Sequence, residues 1–113
     1  SCDIHPLNNL RVLRYLETEF KVTPQQKSVW YWHWIAEGMA GVERLLERSN
    51  AGPWCFGAQP TLADVCLVPQ IANALRMDCD LSPYPRSLAV YEHALKHPAF
   101  DAAQPRRQPD YIA

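Results

Sequence analysis

The spacing of apolar side chains constrains this chain more than any other feature. They recur at Ile4, Leu7, Leu10, Leu13, Leu16 and Phe20, and again at Ile35, Met39, Val42, Leu45 and Leu46. Steps of three and four place them on one helical face, whereas a half-buried strand needs strict alternation. Only Trp30, Trp32 and Trp34 alternate, and they sit inside a long helical series of good helix formers. Helix is therefore the reading there too. The expected class is all-α, one bundle in which no strand is needed.

Punctuation divides the helices. Pro6 either kinks the first one or sits in its first turn. Thr23, Pro24 and Gln26 form a partial capping box that starts a helix running to about Ser49, stopped by Asn50-Ala51-Gly52-Pro53. Thr61 and Asp64 open the next, since the acid can reach back to the cap amide and favours the positive helix end. That helix carries Leu62, Val65, Cys66, Val68, Ile71, Ala72, Leu75 and Met77, the broad apolar surface expected of a central, nearly surrounded element, with a bend or a lost hydrogen bond at Pro69. A further helix is expected from about Pro85 to Lys96, closed by His97-Pro98. A short turn near Ala99–Ala103 follows, and a tail over 104–113 lies on the surface.

A chain of 113 residues, 48% apolar or aromatic and 20% charged, suffices for one core-forming domain, 1–113. Its formal charge of -1 provides no basic field for nucleic acid. No apolar run approaches a membrane span, and the start SCDIHPLNN does not read as a signal peptide. Cysteines at 2, 55, 66 and 79 form no C-x-x-C pair and read as reduced thiols of a cytoplasmic protein. Cys2 and Cys66 fall within helical patterns, where a free cysteine acts as a small hydrophobe.

The sequence contains no glycine-rich phosphate loop, G-x-S-x-G or H-E-x-x-H. His33 and Glu37 read as a surface pair one turn apart. His93 and His97 share that spacing but end a helix, where histidine complements the dipole, so no metal site is expected. The run His5, Asn8, Asn9, Arg11 is less ordinary, because paired asparagines are poor helix material. They either face solvent beside Pro6 or commit their amides to a partner; the pattern leaves both open. Arg76 ends the most apolar helix, either complementing its negative end or presenting a two-point fork to a carboxylate.

The string Cys2-Asp3-Ile4-His5-Pro6-Leu7-Asn8-Asn9-Leu10-Arg11-Val12-Leu13 resembles the fourth-helix signature of zeta-class glutathione transferases, a family that includes maleylacetoacetate and maleylpyruvate isomerases. Residues 61–70, TLADVCLVPQ, resemble the same family's sixth helix, and DLSPYP at 80–85 and RQPD at 107–110 also match. The resemblance implies a transferase-type C-terminal helical bundle that opens within the family's fourth helix. The thioredoxin-like domain and its serine-rich thiol-activating motif are missing, as in an expressed fragment, a proteolytic product or a truncated gene. No catalytic residue is then expected in this chain.

By the same resemblance, His5, Asn9, Leu10 and Arg11 match positions that hold glutathione beside the substrate, Arg11 and Arg76 are substrate-binding, and Arg76 matches the position that receives a substrate carboxylate. Maleylpyruvate isomerase has two arginines where Leu10 and Arg11 stand, a departure that leans towards maleylacetoacetate. The implied function is the substrate-side half of a glutathione-dependent cis–trans isomerase acting on a dicarboxylate-type substrate, homodimeric when full length. The alternative is a stand-alone helical interaction module.

Overall fold

The computed structural model describes residues 2–50 and 52–110. Helices α1 (His5–Asn8), α2 (Leu10–Glu19), α3 (Pro24–Arg48), α4 (Leu62–Arg76), α5 (Pro85–Leu95) and α6 (Pro98–Ala102) follow in order, with a 3₁₀ turn at Pro105–Arg107. Among the described residues there is no strand, only an isolated bridge between Trp54 and Gly57. The longest element, α3, begins as its sequence dictates. Thr23 Oγ1 accepts from the Gln26 amide at 3.1 Å while Gln26 Oε1 accepts from the Thr23 amide at 2.8 Å.

The core gathers around the buried face of α3. Tyr31, Ile35, Met39 and Leu46 meet Ile71 and Ala74 of α4, Val90 of α5 and the connecting Leu81 and Tyr84. A satellite cluster joins Trp54, Val68 and Ala94, with the His93 ring edge-on to Trp54 at 4.8 Å. The start of α5 has no side-chain cap of its own. Glu43 of α3 supplies one, accepting from the Arg86 and Ser87 amides at 2.9 and 3.1 Å and from Ser87 Oγ at 3.0 Å.

Four expectations change. The 4–20 pattern is two helices: Pro6 does sit in a first turn, but the chain turns extended at Asn9 before restarting. Helix α4 is not nearly surrounded, because Leu62 is 76% and Val65 54% exposed and Leu75 also faces outward. Its apolar breadth is wider than the packed side that α3 and α5 cover. Cys2 and Cys66 are exposed rather than packed, and Cys2 precedes the first helix. His97 caps α6, with Nδ1 accepting from the Ala99 amide at 3.2 Å, instead of complementing the end of α5. The described cysteines are all unpaired, and His33 and Glu37 pair at 3.9 Å on the surface.

Candidate functional site

The paired asparagines divide two tasks. Asn9 is the N-cap of α2: its Oδ1 accepts from the Val12 amide at 3.0 Å, and its Nδ2 donates to the Pro6 carbonyl at 3.0 Å. Asn8 turns inward and donates from Nδ2 to the Tyr31 carbonyl at 3.1 Å. It is only 9% exposed, and its Oδ1 has no hydrogen-bond partner among the described residues. A buried acceptor of this kind is costly to leave unpaired, and the cost is carried beside the bond that ties the turn to α3. His5, Leu10 and Arg11 are exposed around this turn.

Arg76 is the last residue of α4, exposed, with no carboxylate paired to it among the described residues. The helix stops directly after it. Asp78 adopts φ 58°, its amide donates to the Leu75 carbonyl at 3.1 Å, and the Cys79 amide returns to the Ala74 carbonyl at 3.0 Å. This is a Schellman ending with aspartate in the left-handed position that glycine usually fills. Arg76 is close enough to Tyr31 for its charge to favour the phenolate. Burial, followed by Cys79, outweighs it and raises the Tyr31 pKa above its ordinary value.

Three consecutive residues of α3 hold these parts together. Trp30 Nε1 donates to the Leu7 carbonyl at 2.9 Å, the Tyr31 carbonyl accepts Asn8, and Trp32 Nε1 donates to the Met77 carbonyl at 2.8 Å. Asn8 and the end of α4 are thus anchored to neighbouring residues. His5 lies farther along α3, where it lines an apolar groove of about 470 Å³ between α3 and α4 with Met39, Leu45, Phe56, Val65 and Asn73. Sequence reading named Asn8 only within a polar run and missed Tyr31 and Trp32. The signal was the aromatic run itself, whose indole N–H groups each require an acceptor when packed.

The buried Cys55 and the half-buried Cys79 are both held in the thiol form. Burial and the adjacent Asp64 carboxylate push Cys55 up to about 12, and burial with the Asp78 charge pushes Cys79 up to about 11. Among the described residues no group of three or more His, Cys, Asp or Glu side chains is placed to hold a metal.

No family model matches the chain. Individual proteins do. The "Probable maleylacetoacetate isomerase" of Vibrio cholerae is 46% identical over 110 residues, covering 97% of this chain and 51% of its own length. The maleylacetoacetate isomerase of Pseudomonas aeruginosa is 44% identical over 96% of this chain and 50% of its own. Among solved structures, maleylpyruvate isomerase from Pseudomonas aeruginosa PAO1 superposes with a TM-score of 0.94 at 50% identity, over 98% of this chain and 58% of that one. A holo maleylpyruvate isomerase described as a bacterial zeta-class glutathione transferase gives 0.94 at 42%, over 98% and 53%. The chain belongs with the zeta-class glutathione transferases. Its helices correspond to their C-terminal helical domain, and it spans about half the length of these relatives. A maleylacetoacetate isomerase from Anaeromyxobacter dehalogenans, 40% identical with a TM-score of 0.89 over 98% of this chain and 49% of that one, holds dicarboxyethyl glutathione and citrate in its active site.

Proposed function

We propose that the chain is the substrate-side half of a glutathione-dependent cis–trans isomerase acting on a dicarboxylate-type substrate such as maleylacetoacetate. The observation that carries this reading is the exposed, unpaired Arg76 at a helix end whose backbone is tied through α3 to the turn that carries Asn8 and Arg11. Glutathione and a dicarboxylate both carry carboxylates, which the exposed Arg11 and Arg76 can each receive. Bound glutathione supplies the thiol whose reversible addition turns the double bond into a single bond that can rotate. The residues of this chain bind and orient. Arg76 holds one carboxylate as a planar fork, Arg11 and His5 flank the glutathione side, and Leu10 is part of its apolar wall. Asn9 shapes the turn that carries them.

Thiol activation belongs, in this reading, to a thioredoxin-like half of the longer protein, which also covers the groove and the exposed Leu62 and Val65. The longer protein is cytoplasmic, which the unpaired cysteines support, and homodimeric, which rests on the resemblance alone. A second reading, a helical interaction module, draws on the same exposed apolar face. Arg76→Ala in the longer protein separates them. A desolvated two-point contact contributes about 1.5–3 kcal/mol, so kcat/KM should fall roughly ten- to two-hundred-fold. Arg76→Lys should recover only part, since it keeps the charge and loses the fork. Unaltered kcat/KM in Arg76→Ala would overturn the carboxylate role.

A further inference from the structure

We propose that Trp32 is a positioning residue for Arg76, fixing the end of α4 through its indole N–H. The inference rests on the proposed carboxylate role of Arg76. Last turns of helices fray because their carbonyls lack intrahelical partners. Here the Schellman bonds occupy the carbonyls of Ala74 and Leu75, and the Met77 amide returns to the Asn73 and Ala74 carbonyls. The Met77 carbonyl, one residue beyond Arg76, lies outside that pattern and receives Trp32 Nε1 at 2.8 Å across 45 positions of sequence.

Trp32 is 43% exposed and belongs to neither core cluster, so core packing does not account for its placement. Its bond joins the Arg76 end of α4 to the same stretch of α3 that holds Asn8 through the neighbouring Tyr31 carbonyl. Trp32 thereby sets the spacing between the carboxylate fork and the turn that carries Asn8 and Arg11. Displacements of about an ångström in such a pair weaken productive binding strongly. The guanidinium stays charged without the indole bond; what is lost is its fixed base.

The test is a double-mutant cycle in the longer protein, reading KM and kcat separately in the glutathione-dependent isomerase assay. Trp32→Phe removes the N–H and keeps an aromatic ring, so folding should survive with a melting temperature close to that of the parent. KM for the dicarboxylate should rise three- to tenfold with kcat within twofold. In the Arg76→Ala background the same change should alter KM less than twofold, because the group it positions is gone. A Trp32→Phe effect that is absent, or equally large in both backgrounds, while Arg76→Ala remains costly, would overturn the positioning role alone. A neutral Arg76→Ala would instead overturn the underlying carboxylate reading, and the positioning role with it.

Discussion

Asp64 shows how one side chain fixes the start of the central helix. It is 0% exposed, and its oxygens accept from the Cys55 amide at 2.9 Å and the Thr61 amide at 2.8 Å, with Thr61 Oγ1 donating at 3.3 Å. Burial works to raise its pKa, but the bonds from Cys55 and Thr61 together hold it below the ordinary carboxylate value. Asp64→Ala should therefore cost about 2–4 kcal/mol, because the buried Cys55 amide and the half-buried Thr61 amide lose a charged acceptor; a melting temperature unchanged within error would reject this. A depressed native pKa stabilises above the unfolded value of about 3.9 and ceases to as pH falls through the native one. The melting-temperature gap between the parent and Asp64→Asn should accordingly hold above about pH 5 and narrow as pH falls below it, through the lowered native pKa. The Thr61–Asp64 half of this device was legible because its partners lie three residues apart. The Cys55 amide was not, since a loop of irregular backbone brings it back. The same distinction separates Arg76, readable from its place at a helix end, from Asn8, whose partner is 23 positions away.

At the scale of elements, α3 organises the molecule, and its glycines report which side is in contact. A Cβ at Gly38 would overlap the side chain of Ile4, whereas one at Gly41 meets nothing within 4 Å. Gly41→Ala should thus stabilise by about 0.5–1 kcal/mol, the ordinary gain from replacing glycine within a helix. Gly38→Ala should instead lose about 1–2 kcal/mol by expelling the buried Ile4. Chemical denaturation of the two variants side by side checks this; equal stabilisation by both would mean that Ile4 does not dock on α3. The extents of α3, α4 and α5 followed from periodicity and caps, because both are local. The division at Asn9 did not, since the apolar spacing of 4–20 carries on unbroken across it while the reasons for the break are a cap and a bond to Tyr31. The cap of α5 escaped for a related reason. Glu43 reads as one more charge on a helix face until the chain folds and sets it against the Arg86 and Ser87 amides.

For the whole molecule, the apolar breadth of α4 is the clearest discrepancy between sequence and structure. Its inner side is saturated, with Ile71 0% and Ala74 1% exposed, yet Leu62, Val65 and Leu75 face outward, and Val65 lines an apolar groove. A groove with an apolar lining and exposed leucines on the same helix suit a contact face, and the chain spans about half of the relatives it matches. In the proposed account both facts have one origin: the residues that bind substrate are here, and those that activate the thiol are in the other half. Isomerase turnover tests this most directly, measured for the 113-residue chain alone and for the same chain joined to the half of the Vibrio cholerae relative that it does not span. The account predicts no turnover above the glutathione-only background for the chain alone, and turnover saturable in glutathione for the joined protein. Saturable turnover by the chain alone, or a folded joined protein without activity, would contradict it.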